Sequence, residues 1–588
     1  MAAMPDSTTP FAPGPHPFVP RLPVPDATPL PVCDAAVAEL RAAADRWVRT
    51  SPERKAALLD EIIRVTLPLA ARWTELGSIH EGVSPNGPDA AEEAIVGPYI
   101  FLRATRYHRR ALLDIARDGV PRIPGPVRTL PDGTVTARVM PADPIDRLFY
   151  IGTEADVWME PGVTAESLPS TMAGAYRTPP PGRVCLVLGA GNASSIGPLD
   201  VIHKLFVENQ VCILKLHPVM AHLAELQEAC LAPLVREGVL RVVHGDADVG
   251  AHLAAHPGVD TLHITGSDKT YEAIVFGGGP EGQERKRRDD PVLHKPFSAE
   301  LGNLTPIIVV PGRWSEGDLA YHAENIVTML TNNAGFNCTT SRVIVTAASW
   351  PQRGALLDRI RARLAQVPTR LAYYPGAAAR FAAFGEVHPE AERIGRPGAE
   401  GELPWMLIPG LSPDATGDPC YRIEAFCSVT AETPIEASSA AEFLDRATAF
   451  ANDQLWGTLN ATVIVDPRTA RDPQVKPALD RAIRDLRYGA VSLNHWSAVG
   501  YGLGITPWGA YPGHTRTDIG SGTGVVHNPL MFERPVKTVA RSPFRAWPKP
   551  LWFSSHRRAH GAMAQLVQFE GDRNPARLVP IFWNALLG

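Results

Sequence analysis

The sequence predicts an α/β protein with two doubly wound domains, in which parallel strands alternate with helices. Short apolar runs at 184–188, 211–216 and 259–264 are separated by segments in which apolar residues recur at helical spacing. A buried strand, a turn and a helix form the start of a βαβ unit, and repeated units of this kind build a parallel sheet. The same alternation begins again at 306–310, which indicates a second α/β domain.

Composition excludes several classes of function. The chain has 588 residues, of which 45% are hydrophobic and 20% charged, the balance of a globular protein with more than one core. Its formal net charge of −5 gives no reason to expect nucleic acid as a partner. The seven cysteines form no CxxC pair and the 18 histidines show no metal-ligand spacing. We therefore expect reduced thiols, a cytoplasmic protein and no metal.

The chain opens with a proline-rich segment, residues 1–31, and continues as helix. The opening lacks a basic start followed by an apolar core, so we expect neither a signal peptide nor a transmembrane segment. From residue 34 to 73 apolar residues recur at helical spacing, and Ser51-Pro52 is typical of a helix start. Beyond further helices, short strands are predicted at Val135–Val139, Arg147–Ile151 and Ala155–Met159.

One stretch carries the clearest sign of chemistry. Cys338 follows small and amide residues from Asn333 onwards, and Glu300 lies upstream in Glu-Leu-Gly. A cysteine thiolate is a strong nucleophile, and a carboxylate can act as a general base. Asn192, in a glycine turn after the strand 184–188, offers a side-chain amide that can stabilise an oxyanion. Taken alone, Cys338 would more often be a buried structural thiol.

Together these segments resemble the active-site motifs of the NAD(P)-dependent aldehyde dehydrogenase superfamily, over residues of about 180 to 500. The resemblance implies an aldehyde dehydrogenase-like fold and oxidation of an aldehyde to a carboxylic acid through a thioester on the cysteine. It makes Cys338 the nucleophile, Glu300 the base and Asn192 the oxyanion donor. Five further residues match the family's cofactor contacts: Lys215, Gly266, Ser267, Glu424 and Phe426.

The resemblance also implies a division into domains and an oligomer. The family carries a β-arm that pairs with a neighbouring subunit, so a homodimer or homotetramer is expected, although a plain surface hairpin fits this segment equally well. The expected parts are a proline-rich arm at 1–33, a cofactor-binding domain at 34–123 and 181–299, the β-arm at 124–180, a catalytic domain at 300–510, and a C-terminal strand and tail at 511–588.

The cofactor is expected to be NAD or NADP. Lys215 ends an apolar strand, where a lysine needs a polar or phosphate partner. Many NAD-preferring relatives carry a glutamate where Pro218 stands in this chain. Because its absence removes a repulsion against a 2′-phosphate, we expect NADP to be used at least as well as NAD.

Departures from the family pattern leave the substrate and the fate of the thioester open. Gly189-Ala190-Gly191-Asn192 replaces the usual Pro-Trp-Asn, and Gly335-Phe336 replaces the usual Gly-Gln. Two alternatives therefore stand beside the hydrolytic dehydrogenase. One is an enzyme that passes the acyl group to coenzyme A, against which Glu300 argues. The other is a catalytically silent scaffold on the same fold.

Two segments lie outside the family pattern. Residues 276–296 are glycine-rich and charged, and we expect a solvated loop rather than a phosphate-binding one. After the expected closing strand at 536–539, the chain continues to Gly588 and includes an apolar run at 578–587. A run of this length is too short to span a bilayer. We expect the tail to dock on protein, the alternative being a membrane surface.

Overall fold

Two β-sheets organise the protein. The computed structural model describes residues 22–588, and within them the two largest sheets have six and eleven strands. The strands, numbered in chain order, are β1 (Val127–Thr129), β2 (Val135–Met140), β3 (Glu154–Met159), β4 (Val184–Leu188), β5 (Val211–Lys215), β6 (Leu240–Val243), β7 (Thr261–Gly266), β8 (Phe297–Leu301), β9 (Thr305–Val309), β10 (Ser341–Ala347), β11 (Arg370–Leu371), β12 (Glu392–Ile394), β13 (Glu402–Leu403), β14 (Trp405–Ile408), β15 (Val429–Ile435), β16 (Asn460–Ile464), β17 (Ala490–Leu493), β18 (Gly522–Thr523) and β19 (Pro535–Arg541).

Helices cover these sheets and form the two ends of the described chain. They are α1 (Leu30–Arg49), α2 (Pro52–Thr66), α3 (Ala70–His80), α4 (Ala90–Ala94), α5 (Ile100–Asp118), α6 (Pro144–Phe149), α7 (Gly174–Arg177), α8 (Ile196–Phe206), α9 (Ala224–Glu237), α10 (Ala247–Ala255), α11 (Asp268–Phe276), α12 (Gly279–Arg288), α13 (Glu316–Thr331), α14 (Arg353–Leu364), α15 (Ala377–Val387), α16 (Pro419–Arg422), α17 (Ala440–Gln454), α18 (Pro467–Arg471), α19 (Lys476–Asp485), α20 (Val499–Gly502), α21 (Ala559–Asp572) and α22 (Leu578–Leu586).

The six-stranded sheet has the order β18-β8-β7-β4-β5-β6. From β8 to β6 its strands are parallel, whereas the two-residue β18 runs antiparallel. Every residue of β4 and β5 is buried. Parallel strands of this kind are apolar throughout because helices cover both faces of the sheet. This sheet confirms the doubly wound α/β prediction.

The eleven-stranded sheet contains the second α/β domain and the strands of the predicted arm. Its strands β19, β17, β16, β9, β10, β15 and β14 are parallel neighbours in that order. At one end β3 pairs antiparallel with β19 of the same chain, and β2 and β1 follow. The arm therefore extends the sheet of its own subunit, and pairing with a neighbouring subunit stays a prediction.

The two sheets meet end to end. β8 ends at Leu301 and β9 begins at Thr305, so a short connection leads from the small sheet directly into the large one. The carboxyl ends of the small sheet's parallel strands therefore face the amino ends of large-sheet strands such as β9. Ligands of open α/β sheets bind outside the carboxyl ends of the strands, which places the expected site in this junction.

One strand prediction in the arm was wrong. Residues 147–151 were expected to form a strand, but 147–149 belong to α6. The Asp143 side chain accepts a hydrogen bond from Asp146 N at 2.9 Å and so caps this helix. Pro144 at the first helical position, which lacks an N–H, suits the same start.

The segment 276–296 was expected to be a loop, and this was also wrong, because it contains α12. A proline in the first turn suits a helix start. Glu281 and Arg285 form an ion pair of 3.1 Å, and Glu284 and Arg288 one of 2.6 Å. Pairs at this spacing stabilise an exposed helix, although no apolar stripe marks it in the sequence.

The C-terminal tail docks on the N-terminal helices. Met563 and Phe569 of α21 are buried in a cluster with side chains of α2, α4 and α5. The buried carboxylate of Glu570 accepts hydrogen bonds from Arg103 Nη1 at 2.8 Å and from Arg106 Nε at 2.9 Å. These contacts confirm the prediction that the tail docks on protein, here the core of its own chain.

The N-terminal arm predicted at 1–33 lies mostly outside the described residues. Within them, 22–29 have no regular structure and α1 begins at Leu30. The predicted start of α2 is confirmed, because the Ser51 side chain accepts a hydrogen bond from Arg54 N at 3.3 Å. Between residues 22 and 588 no helix is long and apolar enough to cross a membrane.

Candidate active site

Cys338 lies in a loop whose backbone follows an unusual path. Asn333, Ala334 and Gly335 have φ angles of 51°, 52° and 82°. Left-handed values are uncommon for residues with a Cβ and persist when the surrounding structure holds them. At Gly335 a Cβ would lie 2.6 Å from the carbonyl oxygen of Cys427, so the close approach of the two segments requires glycine.

Two asparagines hold this loop. Asn192 Nδ2 donates a hydrogen bond to the Phe336 carbonyl at 2.9 Å, and Asn333 Nδ2 donates one to the Asn192 carbonyl at 2.7 Å. An amide nitrogen carries two N–H donors. One donor of Asn192 thus positions the loop, and the second is left for a ligand oxygen.

The backbone of Cys338 is fixed, while its thiol faces open space. The Cys338 carbonyl accepts hydrogen bonds from Asn460 Nδ2 at 2.9 Å and Thr305 Oγ1 at 3.2 Å. Cys338 is partly exposed, whereas the other six cysteines are buried. It lines a cavity of about 230 Å³. Burial raises the pKa of the Cys338 thiol well above its usual value, and the negative charge of Glu300 adds to this rise.

Glu300 lies on β8 and lines the same cavity. Its Oε1 accepts a hydrogen bond from Trp508 Nε1 at 3.1 Å. Burial raises the pKa of Glu300 to about 8, and the hydrogen bond from Trp508 opposes this rise. The carboxyl group is therefore mostly protonated at neutral pH and becomes a base as the pH rises through that value.

The structure brings the three predicted catalytic residues together, since Cys338, Glu300 and Asn192 line one cavity. They come from three separate segments: the loop before β10, the end of β8 and the turn after β4. A nucleophile, a group that can accept a proton and an amide donor at one cavity are the parts that acyl transfer requires.

Three supporting side chains were missed by the sequence analysis. Trp508 contacts Glu300 as described above. Tyr373 Oη donates a hydrogen bond to Asn333 Oδ1 at 2.7 Å, and Glu92 Oε2 accepts one from Asn333 N at 2.9 Å. Nothing in the local sequence distinguishes Tyr373 or Glu92 from other core residues. For Trp508 the available signal was the run Pro507-Trp508-Gly509, which resembles a Pro-Phe-Gly-Gly-like turn near the end of aldehyde dehydrogenases.

Lys215, Gly266 and Ser267 lie at the carboxyl end of the small sheet. Lys215 is the last residue of β5, Gly266 the last of β7, and Ser267 caps α11. Lys215 is buried, and across residues 22–588 its Nζ has no hydrogen-bond partner. Burial lowers the pKa of Lys215 to about 8, and attraction to Asp246 opposes this fall. A buried ammonium group without a hydrogen bond suits a polar ligand at this edge.

The residues after Lys215 offer no second cation. His217 Nδ1 accepts a hydrogen bond from Val219 N at 3.2 Å, and burial lowers the pKa of His217 to about 3. Pro218 begins a short 3-10 turn. The carboxylate that acts on Lys215 comes instead from Asp246, at the start of α10.

Glu424 and Phe426 lie between α16 and β15. In the described chain Glu424 Oε1 is buried without a hydrogen-bond partner. Burial raises the pKa of Glu424 to about 7, and attraction to Arg342 opposes this rise. The Phe426 ring lies with its centroid 5.9 Å from that of Phe336. An unpaired buried carboxyl oxygen beside an aromatic ring suits a ligand that carries hydroxyl groups.

The predicted cofactor residues do not line the cavity that contains Cys338. Within residues 22–588 the cavity lining includes none of the five predicted cofactor contacts. Glu424 nevertheless acts on Cys338, because its negative charge contributes to the raised pKa of the thiol. Glu424 thus influences Cys338 although it does not line the cavity.

One cluster elsewhere contains donors of the kind that bind metals. One donor atom each from His388, Asp418 and Cys420 lies within 4.8 Å of the others. His388 Nε2 is 3.2 Å from Asp418 Oδ1 and 3.7 Å from Cys420 Sγ, so these groups already bond one another. Burial raises the pKa of the Cys420 thiol well above its usual value, and a protonated thiol is a poor ligand. That no metal is bound stays a prediction.

Comparison with known proteins agrees with the motifs. Residues 162–376 match the sequence profile of the Aldehyde dehydrogenase family. An N-succinylglutamate 5-semialdehyde dehydrogenase of Sphingopyxis alaskensis is 29% identical over 203 residues. That alignment covers 34% of this chain and 34% of the relative, so the sequence likeness spans about a third of each protein.

Solved structures resemble the chain over much more of its length. An NAD-dependent aldehyde dehydrogenase from Sinorhizobium meliloti has a TM-score of 0.58 at 20% identity, covering 88% of each chain. Aldehyde dehydrogenase C from Pseudomonas syringae, solved as a mutant with NAD+ and octanal, has a TM-score of 0.59 at 19% identity, covering 88% of this chain and 90% of that one. A Mycobacterium tuberculosis aldehyde dehydrogenase solved with NAD+ has a TM-score of 0.58 at 19% identity, covering 89% and 92%. At these identities the likeness shows the fold.

Proposed function

We propose that the chain is a divergent member of the aldehyde dehydrogenase superfamily, and that it oxidises an aldehyde to a carboxylic acid with NAD or NADP. The observation that carries the proposal is the single cavity lined by Cys338, Glu300 and Asn192. A thiol, a carboxyl group and an amide donor at one cavity supply the nucleophile, the base and the oxyanion contact that this reaction needs.

In the proposed reaction the Cys338 sulfur attacks the aldehyde carbon and forms a carbon–sulfur bond. Because burial and Glu300 both disfavour the thiolate, a group must take the proton as the bond forms. Glu300, in its ionised form, is the base at the same cavity. The attack leaves a negative charge on the former carbonyl oxygen.

Asn192 is proposed to stabilise that oxyanion. One of its amide N–H groups is held by the Phe336 carbonyl at 2.9 Å, which fixes the orientation of the side chain. The second N–H and the backbone N–H of Cys338 are the proposed donors. Loss of one such donor typically costs about 10²–10³ in kcat.

NAD or NADP, if bound, would supply the acceptor for the hydride that the oxyanion expels, and a thioester would then remain on Cys338. Glu300 must first release the thiol proton to solvent, and it then takes a proton from water, whose oxygen attacks the thioester carbon. The carbon–sulfur bond breaks, and the acid and the Cys338 thiolate are released. Above a pH of about 8 the carboxyl group of Glu300 is ionised and able to take the proton from water.

The proposed cofactor contacts fit a dinucleotide in two respects. Lys215 presents a buried ammonium group without a hydrogen bond at the carboxyl edge of the small sheet, which suits a ribose or phosphate oxygen. Glu424 presents a buried carboxyl oxygen without a partner in residues 22–588, which suits ribose hydroxyls. Gly266 and Ser267 lie at the start of α11, where helix N–H groups attract phosphate.

Two further parts of the proposal concern the whole protein. We propose a homodimer or homotetramer, as in the family, although the arm strands pair within one chain. We also propose a cytoplasmic location, because the seven cysteines are unpaired and a reducing compartment suits them.

The test is oxidation of a panel of aldehydes by the full-length protein, with NAD or NADP and with or without coenzyme A. Reduced cofactor and free acid are the expected products. Cys338→Ser should abolish turnover while cofactor binding, measured by fluorescence quenching, persists. Cys427→Ser, a variant of a buried cysteine whose carbonyl contacts the same loop, is the matched control and should retain activity.

Other outcomes of these assays would favour one of the two alternative functions, acyl transfer to coenzyme A or a silent scaffold. Acyl-CoA formed at the expense of free acid would show that coenzyme A resolves the thioester. Absence of cofactor binding, together with a Cys338 that fails to react with a thiol reagent, would indicate a silent scaffold. Near-normal turnover by Cys338→Ser would remove the nucleophile assignment.

A further inference from the structure

Resting on the function proposed above, we propose that the C-terminal tail forms the outer wall of the substrate channel, and that the substrate is an aldehyde with an elongated, uncharged apolar body. The cavity that contains Cys338 is continuous with a region lined by the tail. Its tail residues include Met563, Leu566, Ile581, Phe582 and Ala585.

The cavity is larger than the reacting groups require. It encloses about 230 Å³, whereas one water molecule occupies roughly 30 Å³ in the liquid. An aldehyde group and one attacking water would fill a small part of this space. The remainder is available to the rest of the substrate.

Polar side chains are concentrated at the Cys338 end. Thr265 lies beside Glu300 on the paired strands β7 and β8, and its Oγ1 donates a hydrogen bond to Asp200 Oδ2 at 2.9 Å. Asp200 Oδ1 lies 3.3 Å from His527 Nε2. These lining groups satisfy one another next to the nucleophile, which suits a ligand whose polar end is the aldehyde.

Apolar side chains line the outer part from several segments. Leu148 and Ile151 contribute from the arm, Ile100 from α5 and Phe582 from α22. The lining residues Trp547, Ile151 and Leu148 are 73%, 48% and 39% exposed, so they mark the solvent-facing rim. An apolar rim and an apolar wall lower the free energy of an apolar ligand by removing its surface from water.

This wall is anchored rather than loose. The Phe582 ring stacks on Phe149 with centroids 5.7 Å apart, and Phe149 packs edge-on against Phe569 at 5.6 Å. Glu570, next to Phe569, is buried between two arginines. The channel is therefore preformed, as is usual for small-molecule sites.

Few charged side chains line this channel, and those that do already bond to other residues of the chain. No arginine of residues 22–588 lines it, and the lining residue Lys549 donates its Nζ hydrogen bond to Ser555 Oγ at 2.8 Å. The acidic lining residue Glu92 is bonded to Asn333 N. Asp200 adds a negative charge near the nucleophile. A carboxylate on the substrate would thus be repelled by Asp200 near the nucleophile, and Lys549 is the only lining cation in residues 22–588 that could pair with it.

Chain-length dependence tests the substrate class. For straight-chain aldehydes from propanal to dodecanal, kcat/KM of the full-length protein should rise roughly fourfold per methylene (~0.8 kcal/mol) until the channel is filled. The charged analogue 6-oxohexanoate should fall below hexanal by about tenfold or more. A flat length profile, or a preference for 6-oxohexanoate, would overturn the proposal.

Two substitutions on α22 test the role of the tail. Ala585→Trp fills the channel and should lower kcat/KM for decanal about tenfold or more, while propanal is unaffected. Val579→Trp adds the same side chain at a position of the same helix that is 75% exposed, and should change neither. If Ala585→Trp does not fold, Phe582→Ala serves instead, because it enlarges the channel and should move the preference to longer chains. If Ala585→Trp and Val579→Trp change kcat/KM for decanal to the same extent, the tail does not form the wall of the channel.

A second readout separates this proposal from the function on which it rests. Alkylation of Cys338 by N-alkyl iodoacetamides of increasing length, followed by peptide mass spectrometry, needs no hydride transfer. The rate should rise with alkyl length, and Ala585→Trp should remove that rise. If the alkylation rate rises with alkyl length and Ala585→Trp removes the rise, while no aldehyde is oxidised, the channel is supported and the proposed function is wrong. If propanal is oxidised but neither assay depends on length, the function stands and the channel is wrong.

Discussion

The indole Nε1–H of Trp508 donates a hydrogen bond of 3.1 Å to Oε1 of Glu300. Burial raises the pKa of Glu300 to about 8, and this hydrogen bond opposes the rise because it favours the charged carboxylate. Trp508 follows α20 and Glu300 lies on β8, so the two meet only in the folded chain. The contact influences the pH at which Glu300 becomes a base.

Trp508→Phe should shift the pH dependence of turnover. Without the indole donor the pKa of Glu300 rises, so the base form appears at higher pH and the rise of kcat with pH moves up by about one unit. Trp496→Phe is the control, since Trp496 lines the same cavity but donates to the Thr339 carbonyl at 2.7 Å. An unmoved profile in Trp508→Phe, or an equal shift in the control, would contradict this role.

Glu300→Gln should separate the two halves of the reaction. The amide keeps the shape of the side chain but accepts no proton, so the thioester should form and then persist. We expect a burst of reduced cofactor equal to the enzyme concentration, followed by a slow steady state, in stopped-flow absorbance. Unchanged steady-state hydrolysis would mean that another base activates the water.

Pro218→Glu should weaken NADP selectively. A carboxylate three residues after Lys215 would repel a 2′-phosphate, whereas the 2′-hydroxyl of NAD would accept it. In the unmodified protein we expect NADP to serve at least as well as NAD, judged by kcat/KM for each cofactor. Asp246→Ala is the matched variant, because the Asp246 carboxylate already attracts the Lys215 ammonium group and raises its pKa. Equal loss for both cofactors in Pro218→Glu would place position 218 away from the 2′ oxygen.

Glu570→Ala should destabilise the protein strongly. Removing this carboxylate leaves Arg103 and Arg106 buried without it, and breaking a buried pair typically costs about 3–5 kcal/mol of unfolding free energy. Glu281→Ala removes an exposed partner of Arg285 and should cost about 1 kcal/mol or less in the same urea titration. Similar losses for the two variants would show that the tail is weakly held.

Truncation after Ser542 extends the same test, because it should lower stability further. Loss of vesicle binding at unchanged stability would instead support a membrane role for the tail.

The amino-acid sequence by itself determined the class of fold and predicted which residues form the candidate active site. Strand β4 is apolar throughout, and β5 is apolar up to Leu214, because a parallel sheet is covered on both faces. This pattern is visible in the local sequence. The order of Asn192, Glu300 and Cys338 likewise predicted one site, and the structure places all three in one cavity. Local signals failed at α6 and α12, where capping and charge pairs rather than an apolar stripe support the helix.

Tertiary structure alone decided how these residues are supported and what surrounds them. Trp508 meets Glu300, Tyr373 meets Asn333, and the tail reaches the cavity of Cys338. Each contact joins segments far apart in the chain, and neither partner's local sequence encodes the other's position. The outer wall of the channel therefore follows from how α21 and α22 pack on the N-terminal helices, since the packing of apolar surfaces is non-directional and its outcome depends on the whole fold.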